Sequence, residues 1–166
     1  MSEPIESIVG DLLKDRGLTL AVAESCTGGL LGHRVTNVSG SSAYFLGGVI
    51  AYAYEAKERL LEVRHTTLYE HGAVSEQTAI EMARGARRAL RADIGLAVTG
   101  IAGPGGGMPD KPVGLTWVAL SMREGDRAEK HIWDGNREQN KADSVQAALQ
   151  LLRRTLEAGF EPILVS

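Results

Sequence analysis

Apolar positions along this chain alternate between two periods. Ile5, Ile8, Val9, Leu12 and Leu13 recur at helical spacing, with Pro4 early and Gly17 just past the end, so residues 5–16 are expected to form an amphipathic helix. Residues 18–23 are almost wholly apolar with no helical stripe, the pattern of a strand covered on both faces. Residues 28–38 return to helix, with Leu30, Leu31 and Val35 inward and Val38 at the end. A second strand fits 45–53, where Gly47 and Gly48 suggest a bulge or a close backbone approach near its start. Short helices follow at 55–61 and 66–71, the latter closed by Gly72. Ser75 caps a longer helix to Arg91 that turns Ile80, Ala83, Ala86 and Leu90 inward. A third buried strand at 94–99 leads into the Gly/Pro-rich stretch 100–112. Strands at 113–122 and 128–133 then join across Glu124-Gly125-Asp126, and a last helix runs over 138–158. Buried strands alternating with amphipathic helices, followed by a hairpin, predict a three-layer α/β/α domain with a mixed β-sheet.

With 166 residues and 43% hydrophobic side chains, the chain fills one core and is too short for two ordinary domains. Residues 1–166 are therefore read as a single domain, without internal repeats or a linker. The balance of 18 Lys plus Arg against 21 Asp plus Glu leaves a formal charge of -3, so no overall basic field draws the protein to nucleic acid or to an acidic membrane. A small, metabolite-sized partner is expected instead. The N-terminus lacks a basic region followed by an apolar core, and no apolar run approaches the roughly 18 to 20 residues of a membrane span. One cysteine, Cys26, excludes an intrachain disulfide framework, which fits a reducing, cytoplasmic setting.

Two segments carry candidate chemistry. Ala23-Glu24-Ser25-Cys26-Thr27-Gly28-Gly29 sets Ser25 between a buried strand and a helix start, where ligands bind in open α/β sheets. Backbone N–H groups of Thr27, Gly28 and Gly29 at that helix start are candidate donors to an oxyanion or a phosphate. Ser25 or Thr27 as a plain helix cap is an equal reading. The second segment, Ala51-Tyr52-Ala53-Tyr54-Glu55-Ala56-Lys57, offers Lys57 as a base. A lysine accepts a serine proton near neutrality only if desolvation or nearby cations lower its pKa, and Tyr52 is placed to orient the amine or relay a proton. Taken locally, Lys57 is a solvated surface amine, and only the fold can join it to Ser25.

Other constellations are weaker. There is no G-x-S-x-G elbow and no S-x-x-K. Cys26 with His33, His65, His71 or His131 is a thin basis for a thiol dyad, and a small buried cysteine is the simpler reading. No H-E-x-x-H, C-x-x-C or paired-carboxylate cluster marks a metal site. The loop from Gly100 to Gly107 follows a strand but lacks a Gly-Lys-Ser/Thr ending and is followed by Pro109 and Pro112, so it is not a triphosphate loop. It remains a candidate glycine wall against a flat ring or a single phosphate. Arg84, Arg87, Arg88 and Arg91 form a stripe that reads as a solvated or subunit-contact face. Arg137 and Lys141, four residues apart at the start of the last helix, read as a phosphate clamp or a plain surface pair.

Taken together, the Ser25 segment, Gly40-Ser41-Ser42, Tyr52 with Glu55-Ala56-Lys57, Gly72-Ala73-Val74-Ser75, Thr99-Gly100-Ile101-Ala102-Gly103-Pro104-Gly105-Gly106 and Lys111-Pro112-Val113-Gly114 resemble the CinA C-terminal domain family, in order and spacing, over residues 5–156. That family includes nicotinamide-nucleotide amidases, which convert nicotinamide mononucleotide to nicotinate mononucleotide and ammonia in pyridine nucleotide recycling. The resemblance implies a serine nucleophile at Ser25, with Lys57 and Tyr52 as its helpers and no metal or cofactor. It implies substrate contacts among Thr27, Gly28, Gly29, Ser41, Ser42, Gly103, Gly105 and Arg137. It further implies a homo-oligomer, in which the apolar tail 160–165 is placed to join a subunit contact. Other members carry the domain behind a larger N-terminal one, absent from these 166 residues, so the stand-alone form is expected. Three positions depart from the family pattern: Tyr54 for a frequent asparagine, Asn136 for aspartate and Lys141 for arginine. Two alternatives stay open, a non-catalytic nucleotide-binding or protein-interaction module linked to competence or DNA damage, and an amidase for another small amide.

Overall fold

The structure is a computed structural model and describes residues 2–159. Its strands are β1 (Leu20–Glu24), β2 (Phe45–Ile50), β3 (Ile94–Gly100), β4 (Leu115–Met122) and β5 (Gly125–Ile132), in the sheet order β2-β1-β3-β4-β5. β1 runs parallel to both β2 and β3, whereas β4 and β5 are antiparallel to their neighbours. The two central strands of the parallel part, β1 and β3, are buried almost throughout, which is why they read as continuous apolar runs.

The two faces of the sheet differ in side-chain size. On one, Leu20, Val22, Leu96, Val98, Val118 and Leu120 pack under α1 (Ile5–Arg16), α2 (Leu30–Thr36) and α6 (Arg137–Ala158). On the other, Ala21, Ala23, Ala97 and Ala119 meet Ala79, Met82, Ala83 and Ala86 of α5 (Glu76–Leu90), with α3 (Tyr54–Leu61) and α4 (His65–His71) beside it. The alanine face lets α5 approach closely. A Cβ on Gly95 would lie 1.9 Å from the Ala83 carbonyl oxygen, and one on Gly85 would lie 2.1 Å from that of Leu61.

Element boundaries move by a few residues from those expected. The helix expected from Gly28 begins at Leu30, because Gly28 and Gly29 take positive φ of 59° and 111°. The strand expected over 45–53 ends at Ile50, and the bulge falls at Leu46, where the β1–β2 register skips one residue. Gly48 supplies the close approach, since a Cβ there would sit 2.5 Å from Val22 Cγ2. The hairpin turn is tighter than expected, with β5 starting at Gly125. Ser75 caps α5 as expected, and a capping box of Asn136 and Gln139 starts α6. Of the arginine stripe, Arg84 pairs with Asp126 and Arg88 with Glu62, and both arginine side chains stay exposed. Among the described residues no helix is long and apolar enough to cross a membrane. The tail at 160–165 lies outside them.

Candidate active site

Parallel pairing places the carboxyl ends of β1, β2 and β3 along one edge of the sheet, the edge where open α/β sheets build their sites. The antiparallel hairpin returns the end of β5 to that edge, so the segment entering α6 arrives there too. Each strand end therefore delivers one part: Ser25 follows β1, Tyr52 follows β2, Thr99 and Gly100 end β3, and Arg137 opens α6. The Ser25 N–H donates to the Val98 carbonyl at 3.0 Å and the Ala51 N–H donates to the Glu24 carbonyl at 2.8 Å, extending the sheet up to the serine.

Ser25 and Lys57 meet. The Lys57 Nζ lies 2.9 Å from Ser25 Oγ, 3.0 Å from the Ala51 carbonyl oxygen and 2.9 Å from that of Tyr52, donating to each as an ammonium. The lysine is 1% exposed, so the surface-amine reading does not apply. Burial pushes its pKa down from 10.5 to about 8, with Cys26 opposing. A neutral amine has two N–H bonds and one lone pair. With both N–H bonds held by the two carbonyls, the lone pair is left to accept the Ser25 hydroxyl proton. The backbone that turns from β2 into α3 thus fixes the orientation a base needs.

A cleft of about 260 Å³ opens over this pair, walled by Cys26, Thr99, Ala73 and Val74, by the glycines at 100, 103, 105 and 106, and by Tyr52 and Arg137. The Thr99 hydroxyl donates to the Ala73 carbonyl at 2.8 Å, tying β3 to the segment before α5. The Arg137 guanidinium donates to the Gly103 carbonyl at 2.8 Å and lies 3.5 Å from the Tyr52 hydroxyl. Among the described residues it has no carboxylate partner, so a positive charge stands at the cleft already aimed. A second cleft of about 470 Å³ adjoins the first through Ala102, Gly103 and Arg137.

Several expected site residues lie elsewhere. Tyr52 meets Lys57 through its backbone carbonyl, while its ring, 64% exposed, lines the cleft and turns its hydroxyl to Arg137. Thr27, Gly28, Gly29, Ser41 and Ser42 do not line either cleft. Two of the three amides expected at the helix start are taken: the Gly29 N–H, together with those of Leu31 and Gly32 and the Thr27 hydroxyl, donates to the Glu24 carboxylate. The Gly28 N–H donates to the Ser25 carbonyl. Ser41 sits in a 3₁₀ turn, Ser41–Ala43, before β2. Gly103, Gly105 and Arg137 do line the cleft. Sequence reasoning passed over Glu24, Cys26 and Thr99 as site-shaping residues. For Glu24 the available signal was an acid ending an otherwise apolar strand.

The CinA C-terminal domain family profile matches residues 2–156. A CinA-like protein of Salinibacter ruber is 51% identical over 152 residues, covering 92% of this chain and 37% of that protein. The chain thus spans little more than a third of the length of the curated relatives it matches. Among solved structures, the competence damage-inducible protein A (ComA) of Klebsiella pneumoniae superposes with a TM-score of 0.90 at 36% identity, covering 95% of this chain and 97% of that one. The competence/damage inducible protein CihA of Agrobacterium tumefaciens superposes with a TM-score of 0.84 at 42% identity, covering 95% and 99%.

Proposed function

Because the chain belongs to the CinA C-terminal domain family, we propose that it hydrolyses the carboxamide of nicotinamide mononucleotide to nicotinate mononucleotide and ammonia through Ser25 and Lys57. The observation that carries this reading is the 2.9 Å approach of a buried lysine amine to a serine hydroxyl at the floor of a cleft. Neutral Lys57 takes the Ser25 proton as Oγ bonds to the carboxamide carbon and the carbonyl π pair moves onto oxygen. The Cys26 N–H, next to the nucleophile in the cleft wall, is a candidate oxyanion donor, since the Gly28 N–H donates to the Ser25 carbonyl and the Gly29 N–H to Glu24. Collapse of the tetrahedral species breaks the C–N bond, and the Lys57 ammonium returns its proton to the departing amine, releasing ammonia. Water, deprotonated by Lys57, then cleaves the nicotinoyl ester and restores the Ser25 hydroxyl. Arg137 supports a nucleotide substrate in particular, since a guanidinium lacking a carboxylate partner suits a phosphate. The ring occupies the glycine-walled cleft and the phosphoribosyl group extends past Arg137 into the adjoining one.

Ammonia release from nicotinamide mononucleotide by the purified chain, absent in Ser25→Ala, is the expected result. Turnover of other small amides but not of the nucleotide would reassign the substrate. No turnover of any amide, with the nucleotide bound equally by parent and Ser25→Ala, would leave a binding module.

The lysine pKa fixes the pH dependence. Lys57 must be neutral to act, so kcat/KM is expected to climb about tenfold per pH unit below about 8 and level off above it. Stability follows the same group. Between about 8 and 10.5 the folded protein has lost this proton while the unfolded chain keeps it, so unfolding free energy from this group rises with pH across that window. A pH profile of kcat/KM alongside denaturant titrations at pH 7, 8 and 9 measures both.

A further inference from the structure

The turn that carries Ser25 is built around a buried anion. Glu24 is 2% exposed, and its carboxylate gathers four donors: Oε1 accepts from the Thr27 hydroxyl at 2.6 Å and from the Gly29 and Leu31 N–H groups at 3.2 and 2.8 Å, and Oε2 accepts from the Gly32 N–H at 3.0 Å. All four come from residues 27–32, the segment just after the serine. The backbone of Glu24 is held from the other side, since its carbonyl accepts from the Ala51 N–H and Ser25 donates to Val98. Ser25 is thus bracketed between a backbone fixed by the sheet and a turn fixed by one carboxylate. A carboxylate without cationic partners is costly to bury, and among the described residues the hydrogen bonds to this one come from backbone N–H and hydroxyl groups. Besides these, the turn has its own backbone bonds from the Gly28 N–H to the Ser25 carbonyl and from the Leu30 N–H to the Thr27 carbonyl, while Gly28 and Gly29 at positive φ remove side-chain restraint.

We propose that Glu24 is the positioning residue for Ser25: by gathering the Thr27 hydroxyl and the first amides of α2, it sets the turn that keeps the Ser25 hydroxyl against the Lys57 amine. The proposal rests on the reading of Ser25 as a nucleophile, but not on which amide is the substrate. Glu24→Gln tests it with little change of shape. A glutamine amide has only one acceptor oxygen, so whichever way it is turned its NH₂ faces N–H or O–H donors, and the turn has to shift. Sheet, core and Lys57 environment stay as they are.

The readout is reaction of Ser25 with a fluorophosphonate, in which Oγ bonds to phosphorus, fluoride leaves and the proton passes to Lys57. Intact-protein mass follows it, with Ser25→Ala as the unlabelled control. In Glu24→Gln, held well below its melting temperature, labelling is expected to slow at least tenfold with an unchanged pH midpoint. For hydrolysis, kcat falls in step and KM does not. A merely structural Glu24 would lower the melting temperature and leave the labelling rate of the folded protein at the parental value, which overturns the proposal. Should Glu24→Gln not fold, Thr27→Val keeps the carboxylate and its three backbone bonds. It is expected to slow labelling several-fold, with recovery in Thr27→Ser, and a parental rate in Thr27→Val overturns the proposal. Labelling of the parent without hydrolysis of nicotinamide mononucleotide sinks only the substrate reading. No labelling of the parent removes the nucleophile and the proposal with it.

Discussion

Lys57→Met is expected to lower amide hydrolysis by about a thousandfold or more while leaving the protein folded. Methionine fills a similar volume but has neither a lone pair for the Ser25 proton nor a proton for the departing amine. Two energetic terms of similar size oppose each other in this variant. Burying the ammonium costs the parent about 3 kcal/mol at pH 7, from the drop in pKa from 10.5 to about 8. Against that, methionine leaves the carbonyls of Ala51 and Tyr52 without their donor, at about 1–3 kcal/mol for a buried group. The fold therefore persists. Ammonia release at pH 8, with circular dichroism and a thermal melt, measures both effects. The double variant Ser25→Ala/Lys57→Met should be no slower than either single one, because two groups sharing one proton transfer fail as a unit. Additive losses would show that Lys57 acts on something other than Ser25.

Gly95→Ala is expected to cost about 3 kcal/mol or more, a large effect for a single methyl group. The new Cβ would lie 1.9 Å from the Ala83 carbonyl oxygen and 3.1 Å from the Arg87 Cβ. The carbonyl is helix backbone, so no side-chain rotamer relieves the clash and α5 has to lift from the sheet. Lifting it opens the layer of Ala21, Ala23, Ala97 and Ala119 and shifts the Ala73–Val74 wall just ahead of the helix. Denaturant midpoints measure the loss. Gly17→Ala is the comparison: there φ is 65° and no atom lies within 4 Å, so only left-handed backbone strain of about 1–2 kcal/mol applies. Equal losses in the two variants would mean that the α5 backbone does not pack directly on Gly95 of β3.

Local patterning carried most of the fold. The continuous apolar runs in β1 and β3, the helical stripe of α1, the Ser75 cap and the bulge near Gly47 were all legible, because each depends on residues a few positions apart. Boundaries were less so. Gly28 and Gly29 carry no signal separating a helix turn from a pair at positive φ, and that choice depends on where the Glu24 carboxylate lies. The site divides in the same way. Six segments in family order pointed to Ser25 and Lys57, and the glycine stretch after β3 was read as a wall. The distribution of hydrogen bonds was not legible: a Tyr52 hydroxyl was expected at the lysine and a carbonyl was found there, and of the amides expected at an oxyanion, that of Gly29 serves Glu24 and that of Gly28 the Ser25 carbonyl.

By itself the sequence determined the layers of the domain, the strands that are buried on both faces, and which serine and which lysine merit attention. These follow from periodicity and residue type, which the chain carries locally. Only the tertiary structure decided that the two groups meet, and how. Ser25 and Lys57 are 32 positions apart, and the approach of one to the other depends on β1 and β2 pairing in parallel so that their carboxyl ends share an edge. The same packing buries the amine, and burial rather than any neighbouring charge is the first cause of its lowered pKa. A desolvated lysine with both N–H bonds held by carbonyls is a property of enclosure, and enclosure exists only once the chain has closed on itself.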